Sequence, residues 1–334
     1  MTVEARAAAM RLITAAWDSQ CVRVAVELGV IDRLDQRGPL TTGELATAVA
    51  GPVSAPHLAR MLRALATLEV LCEMGDGRYA LTPTGRELRT AALGPVARFF
   101  MSDVQWQNWM ALSHSIRTGE RAFDHVQGMR NWDYYAAHPT LAAMFDAAMA
   151  AMTAGTGAAI AASYDFGRFP VVADVGGGGG TLLVEILRRH PNLRGVLFDR
   201  EHVVERARPA LAAAGVLDRC ELVGGDFTVA VDVRADAIVL KSVLHDWGDP
   251  DAVAILRRLG PASAVLVVER VLPERVGPDN RYAALSDLNM MVNNGGRERT
   301  AREFEALAAD AGLRMARVVP TPTPFSVVEV VARG

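Results

Sequence analysis

Residues 171–180 read VVADVGGGGG, an apolar run that ends in five consecutive glycines. No other feature restricts the fold of this chain so strongly. An apolar, β-prone run feeding into glycines is a strand whose end must turn tightly, and glycine lets the backbone come close to a ligand. The following stretch, TLLVEILRRH, has helical spacing, so the loop lies between a strand and a helix N-terminus. That is where an α/β sheet binds nucleotides. Farther on, a second apolar run, GVLFD, ends in Asp199, which is placed to take both ribose hydroxyls of an adenosine.

A nicotinamide dinucleotide is the first candidate ligand, and the spacing argues against it. The dinucleotide fingerprint needs a third small residue where helix and strand pack. Counted from Gly176 and Gly178, that place is Thr181. Asp174 leads the glycines. It would repel a pyrophosphate but can accept hydrogen bonds from an ammonium group. S-adenosylmethionine has adenosine at one end and an amino acid at the other, and suits both acids.

The chain's 334 residues are enough for two domains, each with its own core. Hydrophobic residues make up 51% and charged residues 22%, a balance typical of globular proteins. No apolar stretch approaches the ~20 residues of a membrane span. The start, MTVEARAAAMRL, lacks the pattern of a signal peptide. Cys21, Cys72 and Cys220 are scattered and not at metal-ligand spacing, so no metal is expected and a cytoplasmic location is. A net charge of −3 gives no general attraction for nucleic acid. Among 35 Lys and Arg residues the single lysine is Lys241, and in so arginine-biased a chain chemistry is a reason to keep it.

The order of elements predicts two domains, 1–95 and 96–334. Residues 4–35 are Ala-rich with helical spacing. PLTTGELATAVA has Thr41 or Thr42 as a helix cap, PHLARMLRALATLEVL is a further helix, and CEMGDGRYALT reads as a hairpin. This is a winged-helix pattern. Its basic residues Arg60, Arg63, Arg78, Arg86 and Arg89 are matched by Glu44, Glu69, Glu73, Asp76 and Glu87. A DNA-reading surface would be clearly basic, so dimerisation is the expected use. Residues 96–165 are mostly helical and rich in Met, Phe and Trp, the material of a core or of a flat apolar pocket. From Pro170, the strand candidates VVADV, GVLFD, CELVG, DAIVLKS and AVLVVER alternate with helical stretches, which predicts a parallel sheet. GLRMARVV and FSVVEVVA, separated by PTPTP, predict a terminal antiparallel pair.

DAIVLKS runs into VLHDWGD, which puts His245 just beyond a strand's carboxyl end, on the sheet edge of the glycine loop. Glu269 ends the strand AVLVVER, and Glu298 lies in GGRERT before another helix. Two carboxylates beside one imidazole would set its tautomer and orientation.

With DVGGGGG, LFD, GGDF, LKSVLHDWGD, VERVLPE and GGRERTAREFEALAADAGL, the chain resembles the S-adenosylmethionine-dependent O-methyltransferases. That family includes plant caffeic-acid-type enzymes and bacterial polyketide-tailoring enzymes. The resemblance implies an α/β fold, in which a Rossmann-like, SAM-binding parallel sheet follows a mainly helical, winged-helix-like dimerisation domain. It implies methyl transfer to a phenolic or polyketide-derived hydroxyl, with S-adenosylhomocysteine as product, in a homodimer. His245 matches the family's general base, and Glu269 and Glu298 match the carboxylates that bracket it. Gly176 lies in the loop around the methionine part, Asp199 on the ribose, and Asp226 with Phe227 at the adenine. Lys241 matches a lysine near the cofactor, and Thr153 falls where a serine often stands near its carboxylate. Phe145 and Met149 match pocket residues. Met290, Asn293 and Asn294 fall in the substrate loop, where many bacterial relatives are apolar at the two asparagine positions. Arg11 lies on the first helix, which in the family often reaches a partner's active site. There it could pair with the carboxylate of a hydroxynaphthoic or hydroxybenzoic acid. Two rivals are a relative that uses the same cofactor for hydroxylation or decarboxylation, and a SAM-sensing regulator that binds DNA.

Overall fold

The computed structural model describes residues 2–259 and 262–333. Packing divides the chain into two units, Met1–Trp106 with Pro139–Met152, and Gln107–His138 with Thr153–Gly334. The helix Pro139–Ala154 therefore keeps most of its length with the N-terminal segment, rather than with the residues on either side of it.

In the first unit, helices Val3–Glu27, Val30–Arg37, Thr42–Ala48 and Ala55–Thr67 surround Val30, Ile31, Leu45, Leu62 and Leu65. Thr41 begins the third of these helices. Its hydroxyl accepts the Glu44 N–H at 3.3 Å, and the Glu44 carboxylate accepts the Thr41 N–H at 2.7 Å. This reciprocal cap satisfies two donors that a helix start leaves open. The hairpin Leu71–Glu73 and Arg78–Leu81 pairs antiparallel, and Leu40–Thr41 adds a third strand.

The second unit holds a seven-stranded sheet. Its strands are β1 (Val171–Val175), β2 (Arg194–Asp199), β3 (Cys220–Gly224), β4 (Ala237–Lys241), β5 (Ala264–Glu269), β6 (Leu313–Pro320) and β7 (Ser326–Ala332). The order across the sheet is β6-β7-β5-β4-β1-β2-β3. β1 to β5 run parallel, and β7 pairs antiparallel with both β5 and β6. The parallel strands are apolar on both faces because both faces are covered. In β4, Ala237 and Val239 pack on one side with Leu183, Leu187 and Leu266. Ile238 and Leu240 pack on the other with Val265, Val267, Phe304 and Leu307. β1 leads to β2 on one side and has β4 on the other. The strand order thus reverses beside it, the place where open α/β sheets bind their ligands. Among the described residues, no single helix is long and apolar enough to cross a membrane.

Candidate active site

The glycine run leaves β1 and enters the helix Thr181–Arg189. Gly176 has φ +71°, and a Cβ there would stand 2.8 Å from Val243 Cγ2 and 3.4 Å from the Phe227 ring. Only glycine lets the backbone pass at this point. The Gly176 N–H donates to the Phe198 carbonyl at 2.8 Å, which ties the loop to β2. Asp199, the last residue of β2, accepts the Gly178 N–H at 2.9 Å on Oδ2 and the Arg200 N–H at 2.7 Å on Oδ1. Burial raises its pKa above its ordinary value, and those two N–H groups oppose the rise.

Asp174 lies beneath the loop, against Gly177, and is 1% exposed. Its Oδ1 has no hydrogen-bond partner. Burial lifts its pKa to about 7, against the pull of the Lys241 charge. Lys241 ends β4 and donates to Thr153 Oγ1 at 3.1 Å, while its ammonium stands 4.7 Å above the Phe325 ring. Burial brings the Lys241 pKa down to about 8, although Asp174 favours the charged form. Beyond β3, Asp226 accepts the Thr228 N–H at 2.8 Å and its hydroxyl at 2.6 Å. Phe227 reaches Gly176 and meets Trp247 edge to face.

His245 sits in a short 3-10 turn, Leu244–Asp246, that follows β4, and its side chain is 10% exposed. Its Nδ1 lies 3.2 Å from Glu298 Oε1, which also accepts the Ser286 hydroxyl at 2.7 Å. The Arg270 guanidinium stands 3.7 Å from the same oxygen, stacked between the Tyr282 and Phe325 rings. Glu269 takes a different position from the one expected. Its Oε1 accepts the backbone N–H groups of Val243 at 3.2 Å and His245 at 3.0 Å, and it holds the turn rather than the ring. The second carboxylate at the ring is Asp246, with Oδ1 3.7 Å from Nε2. Burial works against the imidazole's charge, but Asp246, Glu298 and Glu269 outweigh it and raise the pKa from 6.5 to about 9. Burial would raise Glu298, yet the bonds from His245 and Ser286 hold it below its ordinary value. Asp246 itself is lifted to about 6 by burial.

Met290, Asn293 and Asn294, expected in a substrate loop, instead lie at the end of the helix Arg281–Asn293, and the two asparagines are bonded within the protein. Asn293 accepts from Asn108 at 2.9 Å and donates to Asn289 Oδ1 at 2.9 Å. Trp109 donates to that same Asn289 oxygen at 3.0 Å, and Gln127 donates to Asn108 at 3.1 Å. The amide of Asn294 donates to Asp246 Oδ1, so this residue acts on the acid beside the imidazole. Met290 is buried on the helix Arg281–Asn293. In the other unit, Phe145 packs edge to face on Phe99, with ring centres 5.3 Å apart. Met149 lies one turn farther along the same helix, half-buried, and Arg11 is exposed on Val3–Glu27.

Sequence reasoning passed over Asp246, Arg270 and Arg299. Asp246 directly follows the candidate base and carried that signal. The two arginines carried none, because burial of a guanidinium depends on partners remote in sequence. Among the described residues, no group of three or more His, Cys, Asp or Glu side chains is arranged to hold a metal ion.

Comparison with known proteins identifies the family of the chain. An O-methyltransferase domain model matches residues 109–314, and an O-methyltransferase dimerisation domain model matches residues 10–91. The chain is 39% identical to a phenazine O-methyltransferase of Lysobacter antibioticus, over 96% of this chain and 94% of that protein. It is 38% identical to a mitomycin biosynthesis 6-O-methyltransferase of Streptomyces lavendulae, over 96% and 92%. Among solved structures, an O-methyltransferase from neocarzinostatin biosynthesis superposes with a TM-score of 0.79 at 34% identity, over 94% of this chain and 96% of that one. That structure holds S-adenosylmethionine and 2-hydroxy-5-methyl naphthoic acid. The chain described here belongs to the family of S-adenosylmethionine-dependent O-methyltransferases.

Proposed function

We propose that the chain methylates a hydroxyl of a small aromatic acceptor in secondary metabolism, with His245 as the general base. One observation carries the reading. At the sheet edge of the glycine loop, Glu298 occupies Nδ1 of a buried imidazole, while Nε2, with Asp246 Oδ1 at 3.7 Å and so beyond hydrogen-bond distance, can exchange a proton. The cofactor supplies an electrophilic methyl group on a sulfonium leaving group.

The residues present fit that cofactor. Each Asp199 oxygen carries one backbone N–H and keeps lone pairs for the two ribose hydroxyls. The unpartnered Oδ1 of Asp174 suits the ammonium end. Lys241 and Thr153 suit the carboxylate end, and Asp226 with Phe227 the adenine. Met290, in the unit that carries His245, is apolar and soft, as the face of a flat ring requires. Arg11 is the candidate partner for an acceptor's carboxylate.

The carboxylates around His245 have a chemical use. A phenol such as tyrosine loses its proton near pH ~10, about 3.5 units above an ordinary histidine. A base raised to about 9 accepts that proton at much smaller cost. With that proton on His245, the site would have to line up the acceptor oxygen with the methyl carbon and the departing sulfur, and such alignment is worth effective molarities on the order of 10⁵–10⁸ M.

The test is mass spectrometry of a panel of hydroxybenzoic acids, hydroxynaphthoic acids and polyketide phenols, incubated with methyl-labelled cofactor. The expected product is one methylene heavier and carries the label. Unlabelled hydroxylated or decarboxylated products would overturn the reading. A homodimer through the first unit is the proposed assembly. Leu12, Ile13 and Trp17 are 74%, 70% and 69% exposed on its first helix, an apolar surface that a second copy would cover. Sedimentation should give twice the chain mass, and Trp17→Glu should shift it toward the monomer. A monomer in the unmodified protein would reject the assembly.

A further inference from the structure

A single 3-10 turn keeps its shape only as well as its backbone polar groups are held. Two buried charged side chains hold the His245 turn from opposite sides. Glu269 takes the N–H groups of Val243 and His245. Arg299 takes the carbonyls, with Nη1 donating to Leu244 O at 3.0 Å and Nη2 to Trp247 O at 2.9 Å. These two carbonyls flank His245 in the chain. The guanidinium is 0% exposed, and it is anchored by Asp249 Oδ1 at 3.0 Å from Nε and 2.8 Å from Nη2. Asp249 opens the helix Asp249–Arg258.

The segment bearing Arg299 is itself fixed. A Cβ on Gly296 would collide with the His245 carbonyl, so this segment lies directly on the turn. Just after Arg299, Thr300 and Glu303 form a reciprocal helix cap, at 2.8 Å and 3.2 Å.

We propose that Arg299 is a positioning residue for methyl transfer: it grips the carbonyls on both sides of His245 and so sets where the imidazole Nε2 stands. The proposal rests on reading His245 as the base. Glu269 is the counterpart on the N–H side. Only a planar fork reaches two carbonyls and a carboxylate together, so lysine is a poor substitute. Loss of Arg299 would not strand its acid, because Asp249 is half-exposed and also has Arg297 at 3.4 Å.

The test is a double-mutant cycle on the full chain, with the best acceptor from the phenolic panel. Arg299→Gln should lower kcat by about 10²-fold, the scale of a small misplacement of a reacting group. Affinity for S-adenosylhomocysteine, read by calorimetry, should stay near that of the unmodified protein, and Arg299→Lys should recover only part of the rate. In a His245→Ala background, Arg299→Gln should cost nothing more, because its effect runs through His245. Additive losses, or equal losses of rate and product affinity, overturn the proposal. If His245→Ala is itself fully active, the base reading fails, and that result does not depend on the Arg299 variants. Should Arg299→Gln not fold, Asp249→Asn and Arg299→Lys carry the test, and unmodified rates in both overturn it. Nitrogen NMR of the His245 ring needs no acceptor: Arg299→Lys should move its titration from about 9 toward the ordinary 6.5, and an unmoved titration counts against the proposal.

Discussion

Replacing His245 by alanine should lower kcat by ~10²–10⁴-fold, the usual contribution of a general base, and leave S-adenosylhomocysteine binding nearly unchanged. The separation follows from position. His245 belongs to the turn after β4 and bonds to Glu298, whereas Asp199 and the glycine loop are held by β1 and β2. The same residue sets the pH dependence. Its pKa is raised, so the imidazole is mostly protonated at neutral pH and must lose that proton before it can take one from a phenol. Since kcat/KM reports ionisations of the free enzyme, it should climb as pH rises and level off near pH 9. Glu298→Gln removes a charge that raises the imidazole, and so should move the limb to lower pH. A flat kcat/KM between neutral and alkaline pH, or a His245→Ala variant that loses rate and product affinity equally, would remove His245 from the role of base.

Much of this arrangement is legible in the sequence, and the unreadable part has a common physical cause. β1, β2, β4 and β5 are visible because a parallel strand covered on both faces has to be an unbroken apolar run. The terminal pair is visible from VV runs broken by PTPTP. Glu269 was found as a residue, but its bonding was misplaced. Nothing in a sequence says that a carboxylate will prefer the N–H groups of Val243 and His245 to the nearby imidazole. Asn293 and Asn294 read as pocket polarity, yet their amides meet Asn108, Asn289 and Asp246, partners chosen by packing. Arg299 gives no signal of its own in a chain with many arginines. It is buried where it supplies donors to the carbonyls of a turn 55 and 52 residues earlier. The helix Pro139–Ala154 shows the same limit on a larger scale, since its packing with the N-terminal unit is invisible to a reading that follows chain order.

Asp199→Ala should weaken S-adenosylhomocysteine binding by ~10²-fold or more, because two hydrogen bonds to a charged acceptor are each worth ~1.5–3 kcal/mol and tenfold in affinity costs ~1.4 kcal/mol. Two effects add in that variant. The ribose loses its acceptors, and the N–H groups of Gly178 and Arg200 lose theirs, so the loop also loses one of its ties to β2. Asp199→Asn separates them. Its amide oxygen still accepts one N–H, which keeps most of the loop's tether, while a carboxylate oxygen is lost to the ribose. Calorimetry should therefore rank the unmodified protein, Asn and Ala in falling affinity. Adenosine alone carries the ribose without the amino-acid end. If Asp199 acts through the ribose, adenosine should lose binding free energy in the same order as S-adenosylhomocysteine. If the loop tether is the whole effect, Asn should bind like the unmodified protein. An Ala variant that titrates as the unmodified protein does would take Asp199 off the ribose altogether, and with it the reason for an acid at the end of β2.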